Sequence, residues 1–207
     1  RDSSSGAREP LQAEERNVRV ASAALGRGEV VAIPTDTIYG LAACACTDSA
    51  VQRLYEIKRR NESKPVSICV GEAGDVERYA EISHLPPGLL EALLPGPVTL
   101  VLNRLSEGGQ LSSVLNPGSR RIGVRVPDYP FIRAVARAHG AAVALTSANV
   151  SGEESTVRVE EFRPLWAKCA AVFDGGELGS SRGGSTVVDL SFRGSFSILR
   201  DGSAQEA

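Results

Sequence analysis

Two segments of the chain carry basic and hydroxyl-bearing residues that could act together on an anionic ligand. The first is Lys58-Arg59-Arg60, and the second is TSANVSG at 146–152. Lysine and arginine donate charge-assisted hydrogen bonds to phosphate oxygens, and an asparagine can hold a ribose hydroxyl, a phosphate oxygen or a base edge. Both segments indicate a phosphate-bearing ligand, with a solvated charge run and a capped turn as their alternatives.

The segment PTDTIYGL at 34–41 directly follows an apolar run and carries further polar groups. In an extended chain Thr35, Thr37 and Tyr39 would share one face and could point together into a cleft. The alternative is a turn begun by the proline, in which Asp36 and Thr37 bond their own backbone.

The segment RRIGVRVP at 120–127 places Arg121 and Arg125 on one face of a predicted strand. At ~3.3 Å per residue their α-carbons would lie about 13 Å apart, which suits two anionic ends of one composite ligand. Structural salt bridges are the alternative, since an unpaired buried charge is strongly unfavourable. A last polar segment is GGSTVVD at 183–189, and Arg200 closes the final predicted strand.

Alternating helices and strands must position these segments, and polar strand ends of such sheets commonly bind ligands. The apolar pattern predicts helices over 11–27, 48–58, 75–81, 87–94, 129–139 and 159–168, the last disturbed by Pro164, and strands over 30–33, 65–70, 98–102, 121–126, 142–145, 171–173, 186–190 and 195–199. This order predicts an α/β domain with a mixed sheet. We expect a flexible leader at 1–10, the catalytic domain at 11–200 and a tail at 201–207.

Composition excludes several other classes. The 207 residues carry 23 Lys+Arg against 25 Asp+Glu, a net charge of -2, which argues against coating nucleic acid through the net field. No apolar run approaches the ~18 residues of a membrane span. The chain lacks a GxxxxGK[ST] phosphate loop and a strand-linked GxGxxG motif, and its two histidines and four cysteines lack metal-ligand spacing.

Taken in order, the motifs closely resemble those of the YrdC family: PTDTIYGL, K-x-R at Lys58 and Arg60, PGPVT at 95–99, R-V-P at 125–127, TSANVSG and GGSTVVD. The resemblance covers about residues 30–200, and the pairing of K-x-R with S-x-N is its most specific part. It implies the single-domain fold of that family, a twisted mixed α/β sheet with flanking helices and a concave, positively charged cavity.

The resemblance also implies an activity, that of an L-threonylcarbamoyladenylate synthase. This nucleotidyltransferase converts L-threonine, bicarbonate and ATP, with Mg²⁺, into threonylcarbamoyl-AMP and pyrophosphate. A partner transferase complex would then modify the adenosine beside the anticodon of tRNA, with at most a weak tRNA contact by this chain. The implied location is cytoplasmic, with an additional mitochondrial fraction as the alternative.

The same resemblance assigns the site residues. It implies ATP binding by Lys58, Arg60, Arg121, Ser147, Asn149 and Arg200. It implies threonine binding by Thr35, Arg125, Ser147 and one or both of Ser185 and Thr186. Lys58 and Arg60 are the expected catalytic residues, and no metal held by the protein is expected. Many relatives have a histidine near threonine where this chain has Cys69, which leaves the contacts on that side open.

Two alternatives compete with the synthase. An RNA-binding module could use the same basic cavity, although the 5% aromatic content and the net charge oppose it. The YrdC-like module of carbamoyltransferases shares K-x-R and S-x-N but processes carbamoyl-phosphate, and it sits in longer proteins with zinc-finger-like and acylphosphatase-like regions.

Overall fold

The described part of the chain, residues 9–59, 65–105, 110–150, 152–179 and 181–204 of a computed structural model, forms ten strands and five α-helices. The strands are β1 (Leu11–Gln12), β2 (Val31–Ile33), β3 (Gly40–Cys44), β4 (Ser67–Cys69), β5 (Val98–Asn103), β6 (Arg121–Arg125), β7 (Val143–Ser147), β8 (Ala171–Asp174), β9 (Thr186–Asp189) and β10 (Ser197–Arg200). The helices are α1 (Val18–Gly26), α2 (Asp48–Lys58), α3 (Leu89–Leu93), α4 (Pro130–His139) and α5 (Arg163–Trp166). Three 3-10 turns lie at Glu15–Asn17, Ala73–Arg78 and Val159–Phe162.

All ten strands join one sheet in the order β1-β8-β2-β3-β7-β4-β6-β5-β9-β10. The pairs β1–β8, β2–β8, β4–β6 and β5–β9 are parallel. The other five neighbouring pairs are antiparallel. The predicted mixed α/β sheet is therefore confirmed.

Alternate residues of each strand point to opposite faces of the sheet, so both faces carry apolar side chains that pack against helices. Val31 and Ile33 of β2 pack with α1 and α4 in one apolar cluster. Val30 and Ala32 belong to the cluster on the other face, which includes the apolar residues of α2. On β6 the residues that alternate with this second cluster are Arg121, Gly123 and Arg125, so a polar stretch of sheet continues the α1/α4 face.

Helix α2 carries the predicted K-x-R segment at its C-terminal end. Its apolar stripe, including Val51 and Leu54, is buried as the spacing predicts, and its bounds match the prediction. Thr47 is the N-cap residue. Arg59 adopts a left-handed conformation at φ 47°, and this turn ends the helix directly after Lys58.

The sequence prediction missed the central strand β3. Its residues, GLAAC, are small and mostly lack the β-branched side chains that favour strands, yet all five are buried between β2 and β7. The predicted first helix begins later, at Val18, and β1 takes its first residues. Pro164 is accommodated in the first turn of α5, where its missing N–H is not needed. No helix among the described residues is long and apolar enough to cross a membrane.

Candidate active site

A cavity of about 340 Å³ opens on the sheet face that continues beyond α1 and α4. Five neighbouring strands contribute to its lining: β3 through Gly40, β7 through Ser147, β4 through Ser67, β6 through Arg125 and β5 through Thr99. Its volume lies within the range of roughly 300–1,000 Å³ that is typical of small-molecule sites. The site therefore forms where the helical cover of this face ends.

The side chain of Lys58 bonds to the TSANVSG segment, the second of the two segments that were predicted to bind phosphate. Only 3% of Lys58 is exposed, and its Nζ donates to the Ser147 carbonyl at 2.7 Å and to the Asn149 side-chain oxygen at 2.8 Å. Nζ also donates to the Asn149 carbonyl. The Lys58 ammonium thus bonds to both Ser147 and Asn149, which places the lysine of K-x-R at the S-x-N turn.

The S-x-N turn is further fixed by bonds among its own residues. The Ser147 hydroxyl donates to the Asn149 side-chain oxygen, and the Asn149 amide donates to the Glu153 carbonyl. The Glu153 carboxylate in turn accepts the Val150 N–H at 3.3 Å. A lysine, a hydroxyl and an amide therefore line one wall of the cavity in fixed positions.

Arg125 stands on the neighbouring part of the wall and is paired with a buried carboxylate. Its Nη2 donates to Asp36 Oδ1 at 2.6 Å, and each side chain is only 8% exposed. Thr35 lines the cavity beside it. The Thr35 hydroxyl donates to the Ile38 carbonyl at 2.7 Å and accepts the Ile38 N–H at 3.2 Å. The 34–39 segment is therefore a self-bonded turn rather than an extended chain. Thr35 and Tyr39 still line the cavity, whereas Thr37 is not among its lining residues.

The opposite wall of the cavity comes from β5, β10 and the loop before β9. The hydroxyls of Thr99 and Ser185 lie 2.7 Å apart, and Arg200 Nη2 donates to the Ser185 carbonyl at 2.7 Å. Gly184 adopts φ +64°, a conformation that glycine tolerates best. Desolvation, and then the like charge of Arg125, lower the pKa of Arg200 from its ordinary value. Two arginines thus repel each other across a space where an anion would relieve the repulsion.

Cys69, the residue that left the contacts on one side of the site open, lies on the same sheet face as Arg125. It pairs in register with Arg125 and is fully buried in the α1/α4 cluster. Burial raises the pKa of its thiol to about 12, so the group stays neutral at physiological pH. Cys69 is absent from the cavity lining among the described residues.

The structure brings seven of the ten predicted site residues to this one cavity: Thr35, Lys58, Arg125, Ser147, Asn149, Ser185 and Arg200. Thr186 is buried beneath it, and its hydroxyl accepts the Ala204 N–H at 3.1 Å. Arg60 lies outside the described residues. The individual roles of all ten remain predictions.

Arg121 is not among the residues that line this cavity, and its contact with the nucleotide stays a prediction. Its Nη1 donates to Asp189 Oδ2 at 2.8 Å, and its guanidinium lies 5.2 Å from the ring centre of Phe192. The salt bridge that the sequence left as an alternative is therefore formed here. Gly123 separates the two arginines along β6, and a Cβ at that position would lie 3.0 Å from both Ser67 Oγ and Thr99 Cγ2.

Sequence reasoning also missed four residues of the site. Ser67, Thr99 and Glu153 line the cavity, and Asp36 pairs with Arg125. Thr99 belongs to the PGPVT motif, so the sequence drew attention to its segment but assigned no function to Thr99 itself. Glu153 directly follows the TSANVSG motif and bonds to it, whereas Ser67 and the pair of Asp36 with Arg125 depend on contacts between distant segments. Among the described residues, no group of three or more His, Cys, Asp or Glu side chains could hold a metal ion.

Comparison with known proteins places this cavity in a family. The family model for Sua5, YciO and YrdC proteins, described as "Telomere recombination", matches residues 23–202. The chain belongs to this Sua5/YciO/YrdC family. The match includes all seven cavity residues named above and Asp36, so the YrdC resemblance read from the motifs is confirmed.

Relatives in this family share a name. The human protein named threonylcarbamoyl-AMP synthase is 46% identical over 195 residues, covering 92% of this chain and 68% of its own length. The Bacillus subtilis protein of the same name is 32% identical over 174 residues, covering 82% of this chain and 49% of its own length.

The fold is also that of a solved family member. The crystal structure of Pyrococcus abyssi Sua5 complexed with L-threonine matches with a TM-score of 0.83 and 32% identity. The match covers 91% of this chain and 55% of the Sua5 chain. This chain thus spans just over half the length of that relative.

Proposed function

We propose that this domain is an L-threonylcarbamoyladenylate synthase, which condenses L-threonine, bicarbonate and ATP into threonylcarbamoyl-AMP and pyrophosphate. The names of the family relatives support this activity and not the RNA-binding alternative. The structural observation that carries the proposal is the ammonium of Lys58 bound to the S-x-N turn in the same cavity as Arg125 and Arg200.

The chemistry requires two anions to combine. The threonine amine adds to bicarbonate with loss of water, and a carbamate oxygen then attacks the α-phosphorus of ATP while pyrophosphate leaves. Both reactants of the second step are negatively charged, so nearby cations lower the barrier. Each charge-assisted hydrogen bond contributes roughly 1.5–3 kcal/mol, and a donor aimed at developing charge contributes about 3–4 kcal/mol.

The walls of the cavity suggest how the substrates divide. We assign the ATP phosphates and ribose to Lys58, Ser147, Asn149 and Arg200, with Arg60 as the expected further cation. We assign threonine to the Arg125 and Thr35 side, with Ser185 assisting and Ser147 between the two substrates. Positioning and electrostatics would then supply most of the rate, as in other phosphoryl chemistry.

Magnesium enters this proposal as part of the ATP substrate. Mg²⁺ is commonly held by substrate phosphates and water with only one or two carboxylates, and the carboxylate of Glu153 lines the cavity. The Mg²⁺ of the MgATP complex would reduce the negative charge that the cavity must accommodate.

The product is a mixed anhydride and needs an acceptor. We propose that a separate transferase complex passes the threonylcarbamoyl group to the adenosine beside the anticodon of tRNA, with at most a weak contact between tRNA and this chain. A cytoplasmic location, with a mitochondrial fraction as the alternative, would place the domain where tRNAs are found.

Pyrophosphate release tests the activity directly. We expect release from ATP that depends on both bicarbonate and threonine, and release independent of threonine would contradict the proposal. Carbamoyl-phosphate offered in place of bicarbonate and threonine tests the carbamoyltransferase alternative. Sub-micromolar tRNA binding at physiological salt without ATP turnover would favour the RNA-binding module instead.

A further inference from the structure

Asp36 is a buried carboxylate that connects two loops at the edge of the cavity. Its Oδ1 accepts Arg125 Nη2 at 2.6 Å, and its Oδ2 accepts the backbone N–H of Asp128 at 2.9 Å. Thr37 Oγ1 lies 3.4 Å from the same Nη2. One carboxylate therefore ties the loop between β2 and β3 to the segment after β6, through the guanidinium of Arg125.

Such a pair is a poor way to stabilise a fold. Removing a carboxylate and a guanidinium from water costs several kcal/mol per ion, and the attraction between them often only offsets that cost. Apolar residues of similar volume would stabilise the same place at least as well. The pair at Arg125 and Asp36 therefore calls for an explanation other than stability.

Orientation of the guanidinium supplies that explanation. An arginine side chain has many rotamers, and a ligand would otherwise have to offset the entropy lost when one of them is fixed. Because the guanidinium is planar, a bond that holds Nη2 also fixes the direction of Nε–H. Asp36 thus prepares Arg125 for a ligand before the ligand arrives.

The guanidinium edge that Asp36 does not hold shows which ligand fits. Asp36 engages only Nη2, the side chain lines the cavity with 8% of its surface exposed, and Nε is enclosed without an acceptor among the described residues. A buried N–H without a partner is costly. A carboxylate is the acceptor that matches the guanidinium best.

We infer that Asp36 is a positioning residue for the amino-acid substrate: it holds Nη2 of Arg125 so that the exposed edge of the guanidinium faces the α-carboxylate of threonine. This inference rests on the proposed function, because that function supplies an amino acid with a free carboxylate. Asp36 itself does not touch the substrate. Its effect is therefore confined to recognition of the carboxylate.

Calorimetric titration of the whole chain with L-threonine and with L-threoninamide tests the inference. The two ligands differ only at the carboxyl group. We expect the Asp36→Asn variant to bind threonine at least about tenfold more weakly than the wild type, the loss of roughly one charge-assisted hydrogen bond. Affinity for threoninamide should change little, so the preference for threonine should shrink; an unchanged preference would overturn the inference.

Asp189→Asn is the matched control. Asp189 is also buried and also pairs with an arginine of β6, but that arginine lies outside the cavity lining. We expect its threonine affinity to stay within about twofold of the wild type, below the contribution of a single hydrogen bond. A threonine loss equal to that of Asp36→Asn would show a general effect of removing a buried carboxylate and would overturn the inference.

A double variant separates action through Arg125 from independent action. Arg125→Lys keeps a charge but loses the guanidinium plane, so adding Asp36→Asn to it should weaken threonine binding by less than about twofold. Fully additive losses would contradict a role through Arg125. If Asp36→Asn does not fold, Asp36→Glu and Asp36→Gln, which match in size and differ in charge, make the same comparison.

The proposed function and the inference fail in different ways. No threonine binding by the wild type would overturn both. Threonine binding by the wild type with equal binding by Asp36→Asn would overturn the inference alone and leave the synthase proposal standing.

Discussion

The two ends of strand β6 carry similar ion pairs in different surroundings. At one end Arg125 and Asp36 are each 8% exposed and stand at the cavity. At the other end Asp189 is 7% exposed but Arg121 is 43% exposed, and this pair stands outside the cavity lining. Asp189 also accepts two bonds from Ser191, whereas Arg125 retains a buried donor without an acceptor.

We interpret the outer pair, Arg121 and Asp189, as one that stabilises the fold, and the inner pair, Arg125 and Asp36, as one that binds a ligand. Ser191 donates hydrogen bonds to the carboxylate of the outer pair, and solvent reaches its guanidinium. The inner pair, Arg125 and Asp36, is buried, and Arg125 Nε meets no acceptor among the described residues. Two arginines that the sequence pattern cannot tell apart thus have different surroundings, and the predictions below test whether their functions differ.

Loss of the inner guanidinium should have the largest effect. We expect Arg125→Ala to raise the KM for threonine by about 100-fold, the equivalent of one or two charge-assisted hydrogen bonds. Arg121→Ala should leave the KM for threonine unchanged, and steady-state pyrophosphate release measures both. Equal effects of the two substitutions on threonine would remove the contrast, and a raised KM for ATP in Arg121→Ala would support its predicted nucleotide contact.

Stability should separate the same two arginines by a smaller amount. Arg125→Ala leaves Asp36 buried without its charge partner, and we expect a loss of about 2 kcal/mol, less than in a fully enclosed pair because the cavity admits water. Arg121→Ala removes a half-exposed partner and should cost less than about 1 kcal/mol. Urea unfolding followed by circular dichroism measures both, and a larger loss for Arg121→Ala would contradict the assignment.

Lys58 extends the comparison to the other cationic wall. We expect Lys58→Ala to lower kcat at least about tenfold, because Nζ holds the S-x-N turn and faces the phosphates in the proposed complex. Arg60→Ala should have a similar effect. Lys168→Ala, at an exposed lysine outside the cavity lining, is the control. Wild-type turnover in Lys58→Ala with folding intact would refute the role.

The smallest expected effect is the pH dependence of the stability that Asp189 contributes in the outer pair. Burial raises the pKa of Asp189, but bonds from Ser191 and the charge of Arg121 outweigh it, so the pKa lies below its ordinary value. A lowered folded-state pKa stabilises the protein above the unfolded pKa near ~4 and loses that contribution as pH falls through the folded value. The stability advantage of wild type over Asp189→Asn should therefore shrink below about pH 4, and a difference independent of pH would contradict this.

Sequence patterns predicted most elements because their apolar spacing is local. The stripe of α2 that begins at Val51 and the strand that begins at Val98 needed no distant contact to be recognised. Strand β3 was missed because small residues such as Ala42 and Ala43 have little strand preference of their own. Burial between two neighbouring strands determines its conformation instead.

The candidate site could likewise be predicted from the sequence only in part. Lys58, Ser147 and Asn149 could be named from motifs, and the structure brings them within hydrogen-bonding distance. Asp36 and Arg125 are far apart in sequence, so no local pattern predicts that they pair. Alternation along β6 correctly predicted that Arg121 and Arg125 share one face of the sheet. It could not show that the cavity lining includes Arg125 but not Arg121.

A crystal structure of the domain soaked with threonine and a non-hydrolysable ATP analogue tests the central claim most directly. We predict the threonine carboxylate within hydrogen-bonding distance of the Arg125 guanidinium, with the nucleotide phosphates beside Lys58. Threonine seated elsewhere, or phosphates against Arg121 and Phe192 instead of Lys58, would contradict the account.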